Sequence, residues 1–309
     1  MMPPNQMVRG RFAPSPSGRM HLGNLWACLL AWLSARSAGG EMVLRLEDLD
    51  PDRCKREYCD QVMRDLEWLG LDWDGQPVYQ SHRTQAYAQA FQELEGQGLV
   101  YPCYCTRSER LAASAPHRSD GTEVYDGRCS RLTEEERAER AKTRRPAWRI
   151  RVPEREVSFS DLLQGEYREQ LAWDCGDMIL RRSDGVYAYQ LAVVVDDAMM
   201  GVTQVVRGSD LLSSTPRQLW LQERLNLPHP NYGHVPLLLA MDGRRLAKRD
   251  RDQELGRLQT QYTAPEMVGR LACAAGLISE DVPITPRELI PLFGWDKVPV
   301  GDLCLSLER

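Results

Sequence analysis

Residues 8–13 alternate in the manner of a short strand and run into the turn-forming Pro14-Ser15-Pro16-Ser17-Gly18. From 22 to 37 apolar side chains cover most of a helical surface instead of one stripe, which predicts a buried helix. Gly39-Gly40 ends it, and residues 41–46 read as a second strand. Asp50-Pro51 predicts the next helix start, with Asp as N-cap and Pro in the first turn, running to Gly70. Another helix is expected from Ser81 to about Gly96. Strand, helix, strand, helix at this spacing predicts an α/β fold with a Rossmann-like parallel sheet wrapped by helices.

That rhythm breaks over residues 99–173, which are rich in Cys, Arg, Glu and turn formers and hold only short strand candidates such as 148–152. Strand-like segments return at 187–195, 203–206 and 234–240, with a helix at about 215–225. The organisation expected is therefore a nucleotide-binding domain in two halves, 1–98 and 174–250, split by an insertion at 99–173. Residues 251–309 form a short, mostly helical C-terminal region.

Composition narrows the class. The 309 residues are 42% hydrophobic and 27% charged, enough for a substantial core, and no apolar run is long enough to cross a membrane. Residues 1–9 lack the apolar core of a signal peptide. The nine cysteines are odd in number and three fall within 103–129, which suits a metal site in a reducing compartment better than a disulfide framework. A cytoplasmic monomer is expected. The net charge of -5 argues against nucleic acid as a partner only in bulk. Basic stretches at 137–155 and at Arg244, Arg245, Lys248, Arg249 and Arg251 are enough to contact phosphates, although solvated surface explains the first equally well.

Five segments carry chemistry. In Arg11-Phe12-Ala13-Pro14-Ser15-Pro16-Ser17-Gly18-Arg19-Met20-His21-Leu22-Gly23-Asn24 the glycines permit close backbone approach, and a helix N-terminus offers N–H groups to phosphate. Arg45-Leu46-Glu47-Asp48 closes the second strand, the edge at which open parallel sheets bind ligands, so Glu47 can hold an ammonium group. Tyr189 begins an apolar run that ends in Asp196-Asp197, and Arg207, at the end of the next strand, has the planar fork that reads a carboxylate. Gly243-Arg244-Arg245-Leu246-Ala247-Lys248-Arg249 is a basic loop that on its own says little. A fifth segment, Cys103-Tyr104-Cys105 with Tyr125 and Cys129 downstream, suits either a tetrahedral metal or free buried thiols.

Taken in order, these segments resemble the glutamyl branch of class I aminoacyl-tRNA synthetases over residues 8–250. The first matches the HIGH signature in its bacterial glutamyl form. The fourth resembles the KMSKS loop, with Arg245 for the first Lys, Ala247 for the Ser and Lys248 kept. The resemblance implies catalysis by His21 and Lys248, with ATP and Mg²⁺ held by His21, Gly23, Asn24 and Lys248. It implies a glutamate site lined by Arg11, Phe12, Ala13, Pro14, Ser15, Glu47, Tyr189 and Arg207. It also implies one structural zinc on Cys103, Cys105 and Cys129, with Tyr125 or His117 as fourth ligand. The residues after Lys248 are too few for an anticodon-binding domain. The expectation is thus a short member, and the resemblance implies that it carries glutamate to the queuosine of tRNA(Asp). A shortened enzyme charging a tRNA 3′ end, or a non-catalytic tRNA- or nucleotide-binding paralogue, remains open at this level.

Overall fold

The computed structural model describes residues 7–106, 124–240, 243 and 255–305. His117 and the basic cluster Arg244, Arg245, Lys248, Arg249 and Arg251 lie outside the described residues. The chain opens with β1 (Arg9–Phe12), α1 (Leu22–Ser37), β2 (Glu41–Leu46), α2 (Arg56–Leu69), β3 (Val78–Tyr79) and α3 (Thr84–Gly96). β1, β2 and β3 form one parallel sheet in that order. α1 buries Leu25, Trp26, Leu29, Leu30, Trp32 and Leu33 against it, which is why its sequence shows no polar face.

β4 (Val100–Cys103), α4 (Glu134–Thr143), β5 (Ala147–Ile150), the hairpin β6 (Glu156–Asp161) and β7 (Gly165–Gln170), and β8 (Met178–Arg181) follow. β4, β5 and β8 make a small antiparallel sheet, so β8, which lies after residue 173, still pairs with the inserted strands. α4 buries no residue. The second half comprises α5 (Tyr189–Met199), β9 (Gln204–Gly208), α6 (Thr215–Arg224), β10 (Asn231–Val235) and β11 (Leu238–Leu239). It ends with α7 (Leu255–Gln261), α8 (Ala264–Ala274), α9 (Pro286–Leu289) and β12 (Leu303–Cys304). β9 and β10 pair in parallel. β9 lies against β1, where Thr203 N donates to Arg9 O at 2.9 Å and Arg9 N to Thr203 Oγ1 at 2.8 Å. The two half-sheets therefore meet side by side, and the chain winds away from their junction in both directions. Such a reversal leaves a crevice at the carboxyl ends of the central strands.

Three local expectations are corrected. The run 187–195, read as a strand, is the helix α5: its residues from Leu191 to Asp197 are all buried, and a short apolar run enclosed on every side has no period to tell helix from strand. The helix expected at Asp50 begins at Arg56, because Asp50 instead closes a turn, its carbonyl accepting from Arg53 N and Cys54 N at 3.2 and 2.8 Å. The strand expected at 234–240 is broken by Pro236 into β10 and β11. Among the described residues no helix is long and apolar enough to cross a membrane.

Candidate active site

A cavity of about 710 Å³ opens over the carboxyl ends of β1, β2 and β9. Arg11, Phe12, Ala13, Pro14, Ser15, His21, Gly23, Asn24, Glu47, Tyr189 and Arg207 all line it, so residues separated by almost two hundred positions share one wall. A smaller adjoining cavity, about 300 Å³, shares Glu47, Arg53 and Tyr189 with the first.

One side of the cavity suits an anion. His21 is the N-cap of α1 in extended conformation, and its N–H donates to Asn24 Oδ1 at 3.1 Å, fixing the entry into the helix. No acidic residue occupies the first turn, leaving the positive end of the helix uncompensated. A Cβ at Gly23 would stand 3.2 Å from the His21 ring, so that glycine lets the imidazole lie flat against the helix start. Gly18, at φ 142, turns the chain in a conformation side chains disfavour. Leu238 lines the cavity wall, and Leu255 N donates to Met20 O at 3.1 Å.

The opposite side suits an amino acid. Arg45, with no solvent exposure, places Nη1 2.6 Å from Asp197 Oδ1 and Nη2 3.2 Å from Glu47 Oε1, with Asp196 at 3.9 Å from its Nε. Burial opposes its charge, but Asp197, Glu47 and Asp196 outweigh that and keep it cationic. Glu47 is oriented by this contact; burial pushes its carboxyl up, and Arg45 and then Arg11 oppose the rise. Arg11 is buried, donates from Nη1 to Val206 O at 2.9 Å, and has Asp197 3.9 Å from its Nε. Arg207 donates from Nη1 to Tyr189 Oη at 3.3 Å, from Nε to His234 Nε2 at 3.1 Å and from Nη2 to Thr215 Oγ1 at 2.8 Å. Two arginines, one anchored carboxylate and a tyrosine thus face one space, a set suited to a molecule with one ammonium and two carboxylates.

Sequence reasoning did not single out Arg45, Asp196, Asp197, Asp161 or His234 as site residues. The acid pair at the end of an apolar run was a usable signal, since buried charges need partners. For Asp161 and His234 no local signal exists; only the fold brings them beside Arg207.

Away from this cavity Cys103, Cys105 and Cys129 bring their sulphurs within 4.8 Å of one another. Tyr125 Oη lies 3.5 Å from both Cys103 Sγ and Cys105 Sγ and accepts from Cys129 N at 3.1 Å. Hydrogen bonding from Cys129, then Tyr125, overcomes burial and pulls the Cys103 thiol down to about 4. The Arg149 guanidinium stacks 3.8 Å over the Tyr125 ring. Three thiols and a phenol converge on one point, as a soft divalent ion requires.

The family model for the catalytic domain of class I tRNA synthetases of the E and Q type matches residues 7–281. A glutamyl-Q tRNA(Asp) synthetase of Nitratidesulfovibrio vulgaris is 50% identical over 308 residues, covering 96% of this chain and 95% of that one. One of Symbiobacterium thermophilum is 48% identical, covering 95% and 94%. A crystal structure of a glutamate tRNA ligase from Elizabethkingia meningosepticum, in complex with its amino acid, superposes with a TM-score of 0.82 at 26% identity. It covers 97% of this chain and 67% of that one.

Proposed function

We propose that this chain, which belongs to the class I tRNA synthetases for glutamate and glutamine and within them to the glutamyl-Q tRNA(Asp) synthetases, activates L-glutamate with ATP and passes it to the queuosine of tRNA(Asp). The observation that carries this is the single cavity that joins the N-terminus of α1, free of acidic side chains, to Arg11, Glu47 and Arg207.

The glutamate α-carboxylate attacks the α-phosphate of ATP, forming glutamyl-adenylate and releasing pyrophosphate. That carboxylate is ionised at neutral pH, so the step needs no general base; it needs positioning and charge stabilisation. Glu47 receives the ammonium group, Arg207 the side-chain carboxylate with Tyr189 beside it, and Arg11 the remaining negative charge. Phe12, Ala13, Pro14 and Ser15 form the floor. His21, the N–H groups around Gly23, Asn24 and Lys248 hold the ATP phosphates with Mg²⁺. The adjoining cavity beside Glu47 and Tyr189 gives the acceptor nucleoside a place next to the activated carboxyl. Cys103, Cys105, Cys129 and Tyr125 would hold one zinc, which would tie the inserted segment together. The exposed basic residues of 137–155, among them Arg140, Lys142, Arg144 and Arg145, and those of the Lys248 loop contact tRNA phosphates.

The test is ATP–pyrophosphate exchange. It should depend on glutamate and proceed without tRNA, and glutamine should support it at least a hundredfold less well, roughly the loss expected when a buried charge meets no partner. Exchange with neither amino acid would reject the assignment.

A further inference from the structure

Asp161 stands at the end of β6, in the inserted segment, yet its carboxylate is buried against β10 of the second half-sheet. Oδ1 accepts three backbone N–H groups, from Leu163 and Gln164 at 3.0 Å each and from His234 at 3.1 Å. Oδ2 lies 2.6 Å from His234 Nδ1. The register of the parallel pair sets His234 directly beside Arg207, whose Nε donates to His234 Nε2 at 3.1 Å.

These contacts fix a proton. An arginine Nε–H only donates, so His234 Nε2 must be bare and its single ring proton must sit on Nδ1, facing Asp161. The ring is neutral and in one tautomer. Burial, assisted by Arg207 and opposed by Asp161, also pulls the imidazole below its ordinary value. Arg207 is then pinned along one edge, through Nε to His234 and through Nη2 to Thr215, and its Nη1 edge beside Tyr189 is left for the cavity.

We infer that Asp161 and His234 are a positioning pair that sets the orientation of the Arg207 fork, and through it the choice of glutamate over glutamine. The inference rests on the assignment of Arg207 as reader of the side-chain carboxylate. A carboxylate behind an imidazole fixes the tautomer in hydrolytic triads by the same physics; here the imidazole serves a guanidinium and transfers no proton.

Asp161→Asn is the discriminating variant. Three backbone N–H groups require an oxygen at the Oδ1 place, so the amide nitrogen must take the Oδ2 place and donate toward His234 Nδ1. The ring can accept there only by moving its proton to Nε2, which then faces Arg207 Nε donor against donor. The backbone anchors survive. Pyrophosphate exchange should therefore show the KM for glutamate raised by roughly tenfold to a hundredfold, the range for a lost hydrogen bond to a charged group. The preference for glutamate over glutamine should narrow by a similar factor, and the KM for ATP should stay within about twofold. His234→Phe should behave alike, whereas His234→Gln, which keeps an acceptor and has no tautomers, should recover most of the glutamate affinity. Adding Asp161→Asn to His234→Gln should then change little. Unaltered glutamate KM and discrimination in both Asp161→Asn and His234→Phe would overturn the pair while leaving the activity intact. Equal losses toward ATP and glutamate with a lowered Tm would overturn it in favour of a merely structural role. Absence of glutamate-dependent exchange in the unsubstituted enzyme would remove the functional assignment itself, and the pair with it.

Discussion

Arg45 Nη2 lies 3.2 Å from Glu47 Oε1, so the carboxylate that faces the cavity is tied to a guanidinium that solvent does not reach. The same guanidinium holds Asp197 at 2.6 Å, and Asp197 in turn lies 3.9 Å from Arg11. The amino-acid side of the cavity is thus one charge network built on β1, β2 and α5, with Arg45 at its centre.

Removing that centre should cost stability as well as affinity. Arg45→Met leaves Asp197 and Asp196 short of their buried partner, a change worth about 3–5 kcal/mol. Urea unfolding should show a lower midpoint with an unchanged slope. A variant as stable as the parent would mean that Arg83, whose Nε donates to Asp196 Oδ1, and Arg11, beside Asp197, already neutralise the two aspartates.

The cysteine cluster should carry about one zinc per chain. Cys105→Ser should lose the metal and loosen the inserted segment while glutamate-dependent exchange survives in part. Tyr125→Phe tests the fourth place: weakened zinc affinity is expected, and undiminished affinity would make His117 or water the fourth ligand. Elemental analysis of protein purified without chelators makes both measurements.

How much of this was legible in the sequence depended on the kind of contact. Gly23 and Glu47 sit at a helix start and a strand end, where local chemistry and position coincide, whereas the roles of Arg11 and His21 came from the resemblance and not from the spacing alone. The strand-helix alternation gave the parallel sheet for the same reason. Asp161 and His234 are joined across 73 residues by a hairpin docking that no periodicity announces. The 187–195 segment misled because full burial erases the alternation that distinguishes a strand from a helix.

His234 also predicts an acid sensitivity. Its folded value lies below the ordinary one, so as pH falls the unfolded chain takes up the proton first. Stability should be full above about pH 6.5 and decline as pH drops from there toward the folded value. Burial pushes the Asp161 carboxyl up, but the His234 hydrogen bond and backbone donors outweigh it and hold it below the usual range, adding a further loss at lower pH. The charged and titratable groups facing the ring are Asp161, Arg207, Arg11 and the stacked Tyr232. His234→Gln should flatten the first part of the decline in pH-dependent urea unfolding; an unchanged curve would assign the effect to another group.

Lys248 is assigned to the ATP phosphates. Lys248→Ala should cut the rate of pyrophosphate exchange by roughly a hundredfold or more, as loss of one charge-stabilising donor does, with glutamate binding by calorimetry little altered. Exchange at the parent rate would place the stabilising charge elsewhere.

The central claim is that glutamate goes to queuosine and not to the 3′ end. The direct measurement offers the enzyme, ATP and labelled glutamate to tRNA(Asp) lacking its 3′-terminal adenosine, in one form with queuosine and in another with guanosine at the wobble position. Label on the queuosine form alone, diminishing as salt rises because phosphate contacts supply much of the affinity, is the predicted result. Label that requires an intact 3′ adenosine and ignores queuosine would contradict it.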